Sequence, residues 1–176
     1  MRKFSFNGVH PKGRLMNKKI YLGGGCFWGL QELFRELPGV VQTRVGYSGG
    51  KVTDPTYENH KGHAEVLEIE YDTKKTSYSK ILDFFFQIHD PTTLNRQGND
   101  QGESYRSVIF YSNALEKKNA KDFIKIVDKS DRWDKPVVTV LEPFEKFYLA
   151  EDYHQDYLQK YPDGYTCHFI RFGSYL

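Results

Sequence analysis

The sequence has 176 residues, a formal net charge of +2 and a sequence pI of about 8.4. This length suits a single domain with its own hydrophobic core. The small charge gives no reason to expect a nucleic acid or a membrane surface as partner. No apolar run approaches the roughly 18 residues of a membrane span, and the basic start of the chain lacks the apolar segment of a secretory signal.

The cysteine count limits the redox chemistry and the compartment. Cys26 and Cys167 are the two cysteines, which are too few for a disulfide scaffold and lack the paired spacing of a zinc site. We therefore expect a reducing compartment, the cytoplasm, and no bound metal or cofactor. We also expect a monomer in which residues 1–15 form an N-terminal arm ahead of one domain over residues 16–176.

The first strong signal is a strand-like run, Lys19 to Leu22, that leads into three glycines and then Cys26. Apolar residues follow at positions 27, 30, 33, 34 and 37, which is the spacing of one helix face, and Pro38-Gly39 ends that helix. Cys26 is thus expected at a helix N-terminus, where free N–H groups and the helix dipole favour an anion. A thiol in such a place ionises more readily to thiolate, its nucleophilic form.

Other interpretations of the glycine-rich stretch are weaker. No Gly-Lys-Ser/Thr follows, so it is not a phosphate-binding P-loop, and the spacing of Gly23, Gly25 and Gly29 is one residue too long for a dinucleotide fingerprint. A hydrolase nucleophile elbow would need glycine where Trp28 stands. A buried structural cysteine remains open from these residues alone, because free cysteine is among the most buried residue types.

Two strands follow, over residues 40–47 and 63–71, with alternating apolar and polar positions. In the second, Glu65 shares a face with Leu67 and Ile69. A carboxyl on that apolar face would be partly desolvated, which raises its pKa and lets it hold a proton near neutral pH. An exposed carboxylate at a fraying strand end is an equally good interpretation of the same pattern.

The second half of the chain continues with helices and strands. Apolar spacing predicts helices over residues 77–89, 114–130 and 151–161, and alternation predicts strands over 105–111 and 137–141. A long polar stretch over 91–104 is a candidate site loop, and an irregular tail follows residue 164. The order β-α-β-β-α-β, then α-β, predicts an α+β fold with a ferredoxin-like core, in which helices cover one face of a mixed or antiparallel sheet.

Seven short motifs occur in order along the chain. They read Gly-Cys-Phe-Trp-Gly, Gly-Tyr-Ser-Gly-Gly, Gly-His-Ala-Glu, His-Asp-Pro-Thr-Thr, Arg-Gln-Gly-Asn-Asp, Ser-Tyr-Arg-Ser and Tyr-His-Gln-Asp-Tyr. In this order they closely resemble the peptide methionine sulfoxide reductase A family, from about Lys19 to the C-terminus. The first motif is highly specific to that family. The resemblance makes residues 16–176 a single catalytic domain.

The resemblance implies that Cys26 attacks the sulfur of methionine sulfoxide, which releases methionine and leaves a sulfenic acid. Glu65 would be the acid that protonates the sulfoxide oxygen, and Tyr57 and Tyr105 would donate hydrogen bonds to that oxygen. Such an enzyme is a peptide-methionine (S)-S-oxide reductase. It acts on the S epimer, free or within proteins, and repairs oxidised proteins.

The resemblance also implies a substrate-binding set. Phe27 and Trp28 would form an aromatic pocket for the S-methyl group of the substrate. Asp100, His154 and Tyr157 match further active-site positions of the family. Because His154 and Tyr157 are three residues apart, they would share one face of the last predicted helix.

Cys167 resembles the resolving cysteine of the family. It would form a disulfide with the oxidised Cys26, and thioredoxin, as electron donor, would reduce that disulfide. The irregular tail should swing toward Cys26 more easily than a core strand could. Many members have a longer segment where this chain has only Glu58 to Lys61, and many carry a further tail cysteine that is absent here.

Two other functions fit parts of the sequence. A cysteine acyl-transferase or hydrolase would use Cys26 with a histidine base such as His154, and it would form no disulfide during turnover. A non-catalytic ferredoxin-like binding domain would leave Cys26 with an unshifted pKa of about 8.5.

Overall fold

The computed structural model describes residues 16–176, so the predicted N-terminal arm, residues 1–15, lies outside the described residues. The strands are β1 (Asn17–Gly24), β2 (Val40–Ser48), β3 (Ala64–Asp72), β4 (Arg96–Gln97), β5 (Asp100–Gln101), β6 (Ser107–Tyr111), β7 (Val140–Pro143) and β8 (Tyr148–Leu149). The helices are α1 (Phe27–Arg35), α2 (Tyr78–Ile88), α3 (Ala114–Asp128) and α4 (Tyr157–Lys160), with a short 3-10 helix at Glu103–Tyr105. Among the helices of residues 16–176, none is both long and apolar enough to cross a bilayer.

Six of the strands form one mixed sheet, in the order β7-β6-β1-β3-β2-β8. Strands β6 and β7 run parallel, whereas the other neighbouring pairs are antiparallel. The four central strands, β6-β1-β3-β2, with α1 and α2 as their connections, form the split-βαβ or ferredoxin-like arrangement. The predicted α+β fold with a mixed sheet is therefore confirmed.

The main core lies between the helices and one face of this sheet. Helices α1, α2 and α3 bury Phe34, Phe85 and Phe123, among others, against the inward residues of the strands. Each such burial contributes about 1.5–3 kcal/mol, and this packing holds helices that would be marginal alone. The opposite face carries a smaller cluster around Tyr21, whose ring stacks on Phe144 at 3.9 Å.

Local signals set the bounds of the helices. Helices α2 and α3 begin after Ser77 and Asn113, whose side chains accept hydrogen bonds from backbone N–H groups of the first turn. Helix α1 ends at Arg35, earlier than the predicted Leu37. Gly39, with a φ of +94°, then turns the chain into β2.

The polar stretch over 91–104 is not structureless. It contains a two-stranded hairpin, β4 and β5, followed by the start of the 3-10 helix. Gly98 and Gly102 have φ angles of +57° and +136°, which reverse the backbone inside and after the hairpin. Tyr105 belongs to the 3-10 helix, so the prediction that it begins strand β6 was wrong.

The predicted helix over 151–161 was wrong in its first half. Regular helix is confined to α4, and Asp156 directly before it has a left-handed φ of +55°. His154 lies in the turns ahead of this break, so His154 and Tyr157 do not share a helix face. Strand β8 was not predicted, because two residues carry no periodic signal.

The C-terminal tail is irregular, as predicted, but it is tied to α2. The backbone N–H of Arg171 donates to the carbonyl of Gln87 at 2.8 Å. The buried Asp83 carboxylate accepts hydrogen bonds from the Ser174 hydroxyl at 2.7 Å and the Tyr175 backbone N–H at 2.6 Å. The tail is therefore part of the packed domain.

Candidate active site

Cys26 lies at the turn between β1 and α1. It is the N-cap residue of α1, as predicted, and 6% of its surface is exposed. Gly25 makes the turn with a φ of +104°, and a Cβ atom there would lie 2.5 Å from the Gln97 side chain. The turn therefore needs glycine both for its backbone conformation and for the close approach of the β4–β5 hairpin.

Burial dominates the pKa of the Cys26 thiol. Removal from water raises this pKa well above its usual range, and the neighbouring Glu65 carboxyl raises it further, while the Trp28 backbone N–H opposes the shift. The expected effect of the helix N-terminus is thus outweighed by desolvation. Cys26 rests as a thiol, which must lose its proton when it acts as a nucleophile.

Glu65 lies at the start of β3, where 2% of its surface is exposed. Its Oε2 atom accepts a hydrogen bond from the Phe27 backbone N–H at 3.0 Å. Burial raises the pKa of Glu65 to about 8, although this hydrogen bond lowers it. The carboxyl therefore holds its proton at neutral pH. Glu65 is buried, as its place on the apolar face predicted, and the exposed alternative is wrong.

Two phenol groups lie beside this carboxyl. Tyr57 lies on a tight turn closed by the bridge between Thr56 and Asn59, and Tyr105 lies on the 3-10 helix. Burial raises the pKa of both phenols and the charge of Glu65 raises both further, while a hydrogen bond between the two lowers the pKa of Tyr57. Both remain protonated at neutral pH and can donate a hydrogen bond.

The third part of the cluster is aromatic. The Trp28 indole stacks on the Tyr157 ring at 3.8 Å, and its Nε1–H donates to His154 Nδ1 at 3.1 Å. The Phe27 ring has no exposed surface and lies 5.1 Å from the His154 ring and 5.9 Å from the Tyr47 ring. Trp28 is only partly buried, so Trp28 rather than Phe27 presents its surface to a ligand in the free protein.

Cys167 lies close to Cys26, and both thiols are free. Burial and the Asp100 carboxylate raise the pKa of Cys167 to about 11, while the nearby backbone amide of Cys26 opposes the shift. The tail is held by hydrogen bonds of two residues that follow Cys167. His168 Nε2 donates to a carbonyl at the end of β1 at 2.7 Å, and Arg171 Nη2 donates to the Cys167 carbonyl at 3.2 Å. The folded tail thus holds Cys167 at the site already in the free protein, whereas the expectation was a tail that swings toward Cys26 more easily than a core strand could.

Asp100 links the two cysteines electrostatically. It lies in β5, and its Oδ2 atom accepts a hydrogen bond from the Tyr165 hydroxyl at 3.0 Å. Its negative charge raises the pKa of Cys26, Cys167 and Glu65. Every residue singled out from the sequence therefore lies in one cluster around Cys26.

Sequence reasoning missed several residues that support this cluster, namely Tyr47, Glu151, Tyr165 and His168. Glu151 accepts hydrogen bonds from the backbone N–H of Tyr57 at 2.7 Å and from the hydroxyl of Tyr47 at 2.9 Å. Tyr47 belongs to the Gly-Tyr-Ser-Gly-Gly motif, whereas the only sequence signal of the other three is their position. Two of them flank the second cysteine, and Glu151 shortly precedes the Tyr-His-Gln-Asp-Tyr motif.

Two surface cavities of about 510 Å³ each lie away from this cluster. One lies beside Arg35 and Val41, and the other beside Lys51 and Glu142. Neither is lined by Cys26 or by the acid and phenols around it. Because catalysis needs a nucleophile, an acid and hydrogen-bond donors at one point, the cluster is the better candidate site.

A model of the peptide methionine sulfoxide reductase family matches residues 18–173 of this chain. The chain is 58% identical over 157 residues to the peptide methionine sulfoxide reductase MsrA of Mycolicibacterium vanbaalenii, a match that covers 89% of this chain and 93% of that protein. The chain belongs to the peptide methionine sulfoxide reductase A family. The family expected from the seven motifs is therefore confirmed.

Solved structures agree with this membership of the reductase A family. The fold is similar to that of reduced Mxr1 from Saccharomyces cerevisiae, with a TM-score of 0.82, 37% identity, and coverage of 89% of this chain and 93% of Mxr1. It is also similar to Mxr1 in complex with Trx2, with a TM-score of 0.61 and 28% identity over 89% of this chain and 91% of that chain.

Proposed function

We propose that the protein reduces methionine S-sulfoxide, free or within proteins, to methionine and so repairs oxidised proteins. The observation that carries this proposal is the buried pair formed by the Cys26 thiol and the Glu65 carboxyl, whose pKa of about 8 keeps it protonated. A thiol can take up oxygen from a sulfoxide, and a neutral carboxyl can protonate that oxygen. The name of the M. vanbaalenii relative supports the same activity.

In the first step, the Cys26 sulfur forms a bond to the sulfoxide sulfur while Glu65 passes its proton to the sulfoxide oxygen. Tyr57 and Tyr105 donate hydrogen bonds to the same oxygen and stabilise the charge that develops there. The oxygen then moves to the Cys26 sulfur while the bond between the two sulfurs and the sulfur–oxygen bond of the substrate both break, so Cys26 becomes a sulfenic acid and methionine leaves as a thioether. The thiol proton of Cys26 replaces the proton that Glu65 gave up, so Cys26 is oxidised and the substrate is reduced.

The aromatic residues of the cluster and Asp100 bind the substrate. Trp28, backed by Phe27, binds the S-methyl group, and His154 and Tyr157 hold the indole in place. The sulfoxide sulfur is pyramidal. If the methyl group and the oxygen are both held, one epimer alone presents its sulfur to Cys26, and the family resemblance assigns the S epimer.

In the second step, the Cys167 sulfur attacks the sulfenic sulfur of Cys26. A disulfide forms between the two cysteines, and the sulfenic oxygen leaves as water with the thiol proton of Cys167. Thioredoxin then reduces this disulfide by thiol exchange, which returns both thiols and leaves thioredoxin oxidised. The similarity to Mxr1 in complex with Trx2 supports this partner. Because thioredoxin is a dithiol reductant, we place the reaction in the reducing cytoplasm. We also propose that the protein acts as a monomer.

The first test is a reaction of the reduced protein with methionine S-sulfoxide and no added reductant. We expect one equivalent of methionine and a Cys26–Cys167 disulfide detected by mass spectrometry. Cys26→Ser should form no methionine. Cys167→Ser should form one equivalent but fail to turn over with thioredoxin. Consumption of the R epimer alone would contradict the assignment, and methionine formation without any disulfide would contradict the two-cysteine relay.

A further inference from the structure

Tyr57 lies on an exposed turn whose own hydrogen bonds hold Thr56, Asn59 and His60 but leave the Tyr57 backbone N–H free for another acceptor. The turn is closed by one bridge, between Thr56 and Asn59, and 41% of the Tyr57 surface is exposed. Its backbone N–H donates to Glu151 Oε1 at 2.7 Å, across 94 positions of the chain. A charged acceptor at this distance makes a strong hydrogen bond. The Glu151 carboxylate therefore ties the turn to the body of the protein at Tyr57 itself.

Glu151 is itself firmly placed. It follows Ala150, which is buried and whose backbone N–H donates to the carbonyl of Val45 in β2 at 3.0 Å. Its Oε2 atom accepts a hydrogen bond from the hydroxyl of Tyr47, a fully buried residue of the same strand, at 2.9 Å. The carboxylate is thus anchored to the sheet at one oxygen and to the turn of Tyr57 at the other.

His154 offers a second route from Glu151 to Tyr57. Because His154 Nδ1 accepts the Trp28 indole N–H, its Nε2 atom carries the proton of the neutral ring. Among residues 16–176 this buried Nε2–H has no hydrogen-bond partner, and Glu151 Oε2 lies 3.9 Å away. The ring of His154 packs at 4.7 Å against the Tyr57 ring. A small approach of the carboxylate would satisfy this donor and fix the ring that supports Tyr57.

We propose that Glu151 is a positioning residue, which holds the Tyr57 hydroxyl at the sulfoxide oxygen through the Tyr57 backbone N–H and the His154 ring. This inference rests on the proposed function, because it assigns a task to Tyr57 in that reaction. The hydrogen bond from Tyr57 strengthens as charge develops on the oxygen. A displaced Tyr57 therefore lowers the rate at saturating substrate, while the KM for the sulfoxide changes little.

The test is a double-mutant cycle on the first turnover with methionine S-sulfoxide. Glu151→Ala should lower the saturating rate about 10–100-fold, the usual effect of losing a group that orients a reacting residue. In a Tyr57→Phe background, the same substitution should change the rate less than about threefold, because the two residues act as one unit. Glu151→Gln, which keeps an oxygen acceptor for the Tyr57 N–H, should recover most of the rate.

The matched control is Asp152→Ala, which removes the exposed carboxylate next in the chain and should keep the wild-type rate. If Glu151→Ala does not fold, Glu151→Asp replaces it in the same double-mutant cycle with Tyr57→Phe. Aspartate keeps the charge, but its shorter side chain moves the carboxylate away from the Tyr57 N–H. A wild-type rate in the Glu151 variant, or an undiminished loss in the Tyr57→Phe background, would overturn the proposal.

Hydrogen exchange at the Tyr57 amide separates this inference from the proposed function, because it needs no substrate. We expect the amide to be protected in the wild type and to exchange much faster in Glu151→Ala. Equal exchange in both proteins would overturn the positioning role even if the enzyme were active. Absence of methionine in the wild-type reaction would instead contradict the proposed function and leave the exchange result to decide the role of Glu151.

Discussion

Cys26 and Glu65 are two acids buried side by side, and burial keeps a proton on each of them. If both were ionised, two negative charges would lie together away from water, which is the costliest arrangement of the pair. The proton on Glu65 is the one needed at the sulfoxide oxygen. In the free protein Glu65 therefore carries the proton that the reaction needs, and the Cys26 thiol loses its own proton only during the reaction.

The pH dependence of the first turnover should report Glu65. Because the acid form is required and its pKa is about 8, the rate should be constant below this pKa and fall about tenfold per pH unit above it. Glu65→Gln should be slower by about 10²–10⁴-fold and should lose this fall. Methionine formed in a single turnover, followed across the pKa, is the measurement. An unchanged rate in Glu65→Gln would remove Glu65 as the acid.

The same pKa predicts the sign of a stability effect. An unfolded Glu has a pKa of about 4.3, so the fold raises the pKa of Glu65 and favours its neutral form. This contribution is complete below the unfolded pKa and is lost as the pH rises through about 8. Glu65→Gln cannot ionise, so its stability relative to wild type should rise between about pH 4.3 and about pH 8 and stay constant above that. If the free energy of unfolding of the two proteins differed by the same amount at every pH, the raised pKa of Glu65 would be contradicted.

At the scale of elements, the start of α1 and the tail are packed against each other around the two cysteines. Gly29, on the first turn of α1, faces the tail on both sides of Cys167. A Cβ atom at Gly29 would meet Thr166 Oγ1 and lie 2.5 Å from His168 Nδ1. Because no helical residue needs a positive φ, glycine is required here for space alone. This contact holds the tail where the second thiol can reach the first.

Gly29→Ala should therefore displace the tail and leave the nucleophile in place. We expect formation of the Cys26–Cys167 disulfide to slow at least about tenfold, because a 1 Å misplacement can cost that much and more. Methionine formation in the first turnover should change little. Rapid quenching followed by mass spectrometry measures both steps in one sample. Gly173→Ala is the control, since an added Cβ there meets nothing within 4 Å; equal disulfide rates in the two variants would contradict the role of this contact.

At the scale of the whole molecule, the C-terminus closes the domain by returning to α2. The buried Asp83 carboxylate holds Ser174 and Tyr175, and Arg132 donates to the carbonyls of Gly173 and Ser174. The tail is not part of a helix or a sheet, so its backbone groups have no regular hydrogen-bond partners. These side-chain contacts supply part of the missing hydrogen bonds. The position of Cys167 thus depends on the chain end as well as on its immediate neighbours.

Asp83→Ala should lower the stability of the whole domain. It leaves the part-buried backbone N–H of Tyr175 and the hydroxyl of Ser174 without their carboxylate acceptor, a loss of about 2–3 kcal/mol for the two hydrogen bonds together. For a domain of this size that lowers Tm by roughly 4–12 °C in thermal unfolding. Asp122→Ala is the matched control, because its ion pairs with Lys118 and Lys125 are exposed and contribute little. Equal melting of the two variants would show that the chain end is not a structural part of the fold.

Local patterns were sufficient for much of this fold. The long elements, such as α1, β3 and α3, carry a clear period of 3.6 or 2, and their predicted places agree with the structure to within a few residues. The predictions of the short elements were wrong or missing. A two-residue strand such as β8 has no period, and the left-handed Asp156 that breaks the last helix depends on contacts made elsewhere, among them an ion pair with Arg35 at 2.7 Å.

The sequence by itself determined the family and the position of Cys26 at a helix start, because motif order and apolar spacing are local properties of the chain, whereas it left the burial of Glu65 open until the structure showed it. Only the tertiary structure decided that the Cys26 thiol is protonated at rest, that the tail is held at the site and that Glu151 supports Tyr57. Desolvation depends on everything packed around a group. The hydrogen bonds that build the site join residues as far apart as Tyr57 and Glu151, 94 positions along the chain, and no local pattern encodes such a pair.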